Sequence, residues 1–251
     1  MSVDRREFLK IGGIAAAGSV AGSLLPAVTG LAALDAGGNV SRASGDHQWG
    51  MVIDVDKCTK GCDACADACR TENNVPLFGD PKRDIHWIRT ITVKQRGVED
   101  AEERQFPAMC YHCENPPCQH VCPVAATFTR ADGIVLIDKH RCIGCRYCMV
   151  ACPYKARSFV SQHVAHTWDD NKDVPRRMHG VVEKCTLCVH RIDKGEEPAC
   201  VVACREKGGD AMSFGDLNDP ASAVAAAVRS GKATRIRADL GTNPRVFYLG
   251  L

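Results

Sequence analysis

The chain has 251 residues, sixteen of them cysteine; that is about 6%, below the roughly 8–10% typical of a short disulfide scaffold. A chain this long buries an ordinary core without staples and predicts one or two domains. Thirty-two Lys and Arg against 30 Asp and Glu leave a formal charge of +2, which marks no nucleic-acid partner, and 3 Trp, 4 Tyr and 7 Phe are few enough that something besides aromatic packing must organise the interior.

The amino terminus reads as an address. Asp4-Arg5-Arg6-Glu7-Phe8-Leu9-Lys10 is followed by an uncharged stretch, Ile11 to Leu34, rich in Ala, Gly, Leu and Val. A basic start before an apolar region is the build of an export signal. The paired arginines before x-Phe-Leu-Lys resemble a twin-arginine (Tat) signal, with Asp4 where Ser or Thr is usual. Residues 1–36 are therefore set apart as a Tat-like signal or N-terminal anchor. As a helix, Ile11–Leu34 would span roughly 36 Å, enough to cross a membrane, and no later segment approaches 18 uncharged apolar residues.

The cysteines fall into four sets of four: Cys58, Cys62, Cys65 and Cys69; Cys110, Cys113, Cys118 and Cys122; Cys142, Cys145, Cys148 and Cys152; Cys185, Cys188, Cys200 and Cys204. The third set is the bacterial ferredoxin run C-x2-C-x2-C-x3-C-P. A tight loop can wrap three corners of a cubane, while the fourth cysteine, one turn on, faces a different cluster. Pro123 and Pro153 then end the local helix, because proline cannot continue it. Disulfides would suit an exported chain, but the x2 spacings crowd the thiols as chelation requires. Zinc in four-thiolate sites also uses C-x2-C pairs, yet does not account for the Cys-Pro endings or the x3 fourth cysteine. Covalent haem has no C-x-x-C-H to bind to, the nearest being Cys185-Thr-Leu-Cys188-Val-His190.

Met51–Val55 and Ile134–Ile137 read as strands, each leading into a cysteine loop at the same offset. A strand, a cysteine loop and a helical turn make half of a ferredoxin, so four sets predict two such units. Between the first and second sets, Trp87–Val93 reads as a strand and Gly97–Arg104 as a charged turn; residues 157–183 read as a polar insertion. Asp219 is expected to cap, and Pro220 to open, a short alanine-rich helix to about Arg229. Arg245–Leu249 reads as a last strand, in a tail covering one flank.

From Trp49 onward the chain resembles the four-cluster electron-transfer subunits of bacterial membrane-bound respiratory complexes, the family found with polysulfide, dimethyl sulfoxide and tetrathionate reductases and with the nitrite reductase quinol pathway. The resemblance rests on Cys58 through Pro76 with its Glu-Asn-Asn-Val-Pro ending, Cys110-Tyr-His-Cys-Glu-Asn-Pro-Pro-Cys118, Cys142-Ile-Gly-Cys-Arg-Tyr-Cys148, Cys185-Thr-Leu-Cys188, Glu197-Pro-Ala-Cys200 and Phe214-Gly-Asp-Leu-Asn-Asp-Pro220. It implies an α+β fold of two nested ferredoxin-like units with insertions, small β-rich extensions and a C-terminal helix. The outer unit would comprise residues 49–109 and 181–215 and the inner unit 110–160, with an insertion at 161–180 and an extension at 216–251. It also implies four 4Fe–4S clusters with crossed ligands. Cys58, Cys62 and Cys65 would share one with Cys204; Cys185, Cys188 and Cys200 with Cys69; Cys110, Cys113 and Cys118 with Cys152; Cys142, Cys145 and Cys148 with Cys122. Cys58-Thr-Lys-Gly-Cys62 departs from the family by one extra residue. The Tat-like start and the segment Cys188 to Gly195 look most like the periplasmic iron–sulfur subunit of the complex associated with dissimilatory sulfite reductase. The implied partners are a polytopic quinone-interacting membrane subunit and a multihaem cytochrome or molybdopterin subunit.

Four cubanes with thiolate ligands would add roughly −8 to the formal charge. Lys60, Arg70, Arg141, Arg146, Lys155, Arg157, Lys184 and Arg191 lie beside the sets and are candidates to offset that charge and tune potentials, with Arg146 singled out. No H-E-x-x-H, G-x-S-x-G or phosphate-binding glycine motif is present, so no catalytic residue is expected. His112, His120, His140 and His190 are expected in structural or surface roles, and Trp49, Trp87 and Trp168 as core or interface anchors.

Overall fold

The computed structural model describes residues 45–251 except 95, 99 and 168. The Tat-like segment and Trp168 lie outside the described residues.

The fold is α+β, built from short elements. The strand expected at Met51–Val55 forms as β1, Trp49–Asp54, with Met51, Val52 and Ile53 buried. Asp54 ends it: its carboxylate accepts from the Asp56 N–H and starts a single 3-10 turn that delivers the chain to Cys58. Helix α1, Ala64–Glu72, follows the first loop. The hairpin of β2, Ile88–Val93, and β3, Arg104–Met109, pairs Ile88 with Met109 and Val93 with Arg104. Arg104 thus opens a strand instead of closing the expected turn, because its register partner Val93 continues the ladder.

Next come α2, Pro117–His120, then β4, Thr127–Thr129, paired antiparallel with β5, Val135–Ile137, and then α3, Tyr147–Ala151. Helix α2 packs on α3. After two-residue strands β6, Ser158–Phe159, and β7, Val182–Glu183, the chain forms α4, Val189–Ile192, α5, Ala199–Lys207, and β8, Met212–Asp216. Helix α5 packs along α1, and β8 pairs antiparallel with β1, Trp49 opposite Asp216.

Residues 157–183 carry more than surface. Val160 is fully buried, and Arg177 is buried with its guanidinium 4.7 Å from the Trp87 ring centroid. Arg177 Nη1 also lies 3.3 Å from the carboxylate of buried Glu183. Asn171 ties the same segment to the end of α1, donating to the Glu72 carbonyl at 2.8 Å and exchanging bonds with Asn74.

Two expectations for the tail change. Asp219 accepts from the Ala221 N–H in a turn, and the helix starts later, as α6, Ala223–Arg229, with Ser222 at its N-cap. The side-chain turn of Asp219 competes with capping and delays the helix by three residues. The last strand, β9, Val246–Leu249, does more than cover a flank. It pairs in parallel with β1, and Tyr248 is fully buried in the main core beside Phe106 and Tyr111.

Candidate metal centres

All sixteen cysteines are free thiols. They do not gather by set. Cys65 and Cys69 sit four residues apart on α1, one turn and about 6 Å of rise, so they meet different neighbours. Cys65 feels the charges of Cys204, Cys58 and Cys62, whereas Cys69 feels those of Cys185, Cys200 and Cys188. Cys200 and Cys204, four apart on the adjoining α5, divide the same way. Downstream, Cys110, Cys113, Cys118 and Cys152 line one cavity, and Cys122, Cys142, Cys145 and Cys148 line another. The four spatial groups therefore each take three thiols from one set and one from another.

The loops share one backbone device. The residue before the second cysteine of each set has a left-handed φ: Gly61 +77°, His112 +42°, Gly144 +69° and Leu187 +58°. Alternation into this region turns successive N–H groups inward, the concavity that receives anions and iron–sulfur clusters. The extra residue between Cys58 and Cys62 leaves this position unchanged, held by Gly61. At Gly144 the need is twofold, since a Cβ there would also strike the Gly180 carbonyl. Backbone amides reach sulfur directly: Ala126 N–H to Cys122 Sγ at 3.2 Å, Leu187 to Cys185 at 3.3 Å and Ala211 to Cys204 at 3.3 Å.

Burial sets the electrostatics. It pushes the Cys65, Cys113 and Cys185 thiols up to about 12, and neighbouring thiols push the same way. Cys122 goes down: its partial burial is outweighed by backbone donors at Thr127, Val124 and Ala126. Among the described residues no three His, Cys, Asp or Glu side chains converge on a point able to hold one metal ion. In the third and fourth groups the thiols line a cavity, and backbone amides reach sulfur; a four-thiolate donor set of this kind fits a 4Fe–4S cubane.

The other expected residues sort clearly. Buried His112 accepts from the Val135 N–H through Nδ1 at 3.1 Å, and burial with nearby Lys184 holds its pKa well below the usual range. His190 bonds Glu72 at 2.7 Å, and His120 and His140 are exposed. Trp49 stacks on Phe214. Of the basic residues, Lys60, Arg141, Arg146 and Lys155 are exposed, Arg70 pairs with Asp67, and Arg191 pairs with Glu72. Arg146 lies over the Phe159 ring at 4.9 Å; Arg157 is the one whose guanidinium is buried against sulfur, 2.8 Å from Cys118 Sγ. Two contacts had no individual place in the sequence reading. Asn73 donates to Cys188 Sγ at 3.5 Å, and Thr242 hydrogen-bonds Cys113. Asn73 falls in the Glu-Asn-Asn-Val-Pro stretch, a usable signal; Thr242 lies 129 residues beyond Cys113, with none.

Sixteen free cysteines gathered into groups of four mark an iron–sulfur protein. Comparison with known proteins agrees. A family model described as "4Fe-4S dicluster domain" matches residues 102–169 and 171–217. The chain is 42% identical over 270 residues to "Hdr-like menaquinol oxidoreductase iron-sulfur subunit 1" of Archaeoglobus fulgidus, covering 99% of this chain and 98% of the relative. It is 38% identical to a tetrathionate reductase subunit of Salmonella typhimurium, over 100% and 90% of the two chains. It is likewise 38% identical to the menaquinone reductase iron–sulfur cluster-binding subunit of Nitratidesulfovibrio vulgaris, over 80% and 88%. The chain belongs to this family of 4Fe–4S iron–sulfur subunits of reductase and menaquinol oxidoreductase complexes, which carry electrons and leave catalysis to other subunits.

Proposed function

We propose that the sixteen cysteines hold four 4Fe–4S clusters, one in each spatial group, and that the four form a single file. Cys65 of the first group is in charge contact with Cys69 and Cys200 of the second. Cys185 of the second meets Cys110 of the third, and the third and fourth share Arg157. The observation that carries this reading is the gradient of exposure. Cys69, Cys185, Cys188 and Cys200 are all buried, whereas the first group has half-buried Cys58 and Cys62 and the fourth has exposed Cys145. A conductor needs its ends near the surface and its middle away from water.

The pairing of β1 with β8 and of α1 with α5, around β4 with β5 and α2 with α3, supports two nested ferredoxin-like units, the outer at 49–109 and 181–215 and the inner at 110–160. The remaining ranges are an insertion at 161–180, an extension at 216–251 and a signal or anchor at 1–36. When bound, each cluster accepts and releases one electron. The chain's own residues hold the sulfurs, donate backbone hydrogen bonds to them and exclude water.

Electrons would pass between a quinone-interacting membrane subunit and a redox partner. The menaquinol oxidoreductase relative, matched almost end to end, favours a quinol-linked complex. Within that class the reading is the sulfite reductase-associated complex, with a multihaem cytochrome as partner; the tetrathionate reductase relative makes a molybdopterin subunit the second reading. No helix among the described residues is long and apolar enough to cross a membrane, which fits peripheral attachment. The Tat-like start favours the periplasmic side.

Two measurements test this. The anaerobically reconstituted protein should bind about sixteen irons. Cys204→Ser should alter the signal of the cluster beside Cys58, while Cys69→Ser alters the one beside Cys185; changes that follow the sequence sets instead would reject the pairing. Purification of the native complex decides between a haem and a molybdopterin partner.

A further inference from the structure

Arg157 is only 5% exposed, lies between the third and fourth cysteine groups and, among the described residues, has no carboxylate hydrogen-bond partner. Its Nη2 stands 2.8 Å from Cys118 Sγ, its Nη1 donates to Thr127 Oγ1 at 3.1 Å, and the same guanidinium interacts electrostatically with Cys148. Cys118 belongs to the third group and Cys148 to the fourth. Arginine keeps its charge at any accessible pH, and a buried charge without an anion carries a penalty of several kcal/mol. The atoms within reach that would become anions on holding a cluster are the Cys118 and Cys148 sulfurs, and they come from two groups. The other buried cation nearby, Lys184, is committed elsewhere: its Nζ donates to the Val135 and Cys185 carbonyls.

We infer that Arg157 is a shared positioning cation that raises the reduction potentials of the third and fourth clusters together and couples them as a pair. An electron arriving in either group adds one negative charge beside the guanidinium, which stabilises the reduced form of both. A residue serving one cluster would leave the other unmoved, and general surface charge would act on all four. The flat fork is what permits sharing, since a lysine ammonium offers a single nitrogen.

This inference rests on the reading that both groups hold clusters, and a redox titration followed by EPR tests the two separately. In reconstituted Arg157→Gln, two of four signals should titrate at lower potential, each with about a tenfold smaller reduction constant, or about 59 mV for one electron. The other two should stay in place. In Arg157→Lys, the charge remains but only one sulfur is within reach, so one signal should fall clearly further than the other. The lysine variant decides the matter should the glutamine variant fail to load. Four unmoved signals, or an equal fall in all four, would overturn the inference while leaving the four-cluster reading intact. Wild-type protein lacking either inner signal would overturn both.

Discussion

At the residue scale, the left-handed positions before the second cysteines are the most demanding feature of the loops. Gly144→Ala adds a methyl group at φ +69° against a backbone carbonyl. Strain and overpacking together should cost about 2–4 kcal/mol, read as a lower unfolding midpoint, with one cluster signal broadened or lost and the other three retained. A second residue-scale prediction concerns the open end of β1. His47 Nδ1 lies 2.7 Å from Asp216, whose hydrogen bond, with the charges of Asp46 and Asp132, raises the imidazole above its ordinary 6.5. Asp216 is held below 3.8: its burial, which acts the other way, is outweighed by the Gln48 amide and His47. The imidazolium contribution is therefore full below pH 6.5 and fades as pH rises through the raised value. The carboxylate contribution is full above pH 3.8 and fades as pH falls through the lowered one. His47→Asn should melt earlier than wild type below pH 6.5, and the two curves should converge as the pH rises through the raised imidazole value. Residues such as Asn73, four positions past Cys69, could be suspected from the sequence. Thr242 and the special place of Arg157 could not, because both depend on which distant loops are brought together.

At the element scale, strands were legible where β-branched runs led into a cysteine loop, as at β1 and β5. They were invisible where two residues suffice, as at β6 and β7, because their pairing is imposed by the cysteine loops on either side. The Asp219-Pro220 dipeptide misled because one side chain can cap a helix or close a turn, and here the turn forms first. The last strand was legible but its depth was not. Tyr248 donates to the Pro107 carbonyl at 2.9 Å and meets the Tyr111 hydroxyl at 3.2 Å, all inside the core. Tyr248→Phe strands that buried carbonyl and should destabilise by about 1–2 kcal/mol in denaturant unfolding, with the four EPR signals unchanged.

At the scale of the whole molecule, the sixteen cysteines take the structural role that aromatic packing plays elsewhere. The spatial groups join separate segments of the chain, up to Cys58 with Cys204, so on the proposed reading cluster loading and folding are one process. Removing iron with a chelator under reducing conditions should lower the thermal midpoint by at least about 10 °C and remove most near-ultraviolet circular dichroism. Retention of the holo midpoint would show that the protein framework stands without metal. Because thiols near 12 are protonated at neutral pH, reloading should also acidify an unbuffered solution. The kind of cofactor was legible in the cysteine spacing. How the cysteines group in space was less so, since it depends on which neighbours each helix turn faces.

The central position of β1 has a consequence for how the molecule is made. This strand leaves the ribosome early, yet its partners β8 and β9 begin 163 and 197 residues after its first residue. Until they emerge it has two bare edges, open to pairing with other chains. The first cysteine group stays open as long, since Cys204 lies just ahead of β8. The third and fourth cysteine groups are complete once Cys152 is made, whereas the first and second wait for Cys204 and Cys200. An unfinished chain therefore lacks the last thiol of the first group and leaves both edges of β1 unpaired.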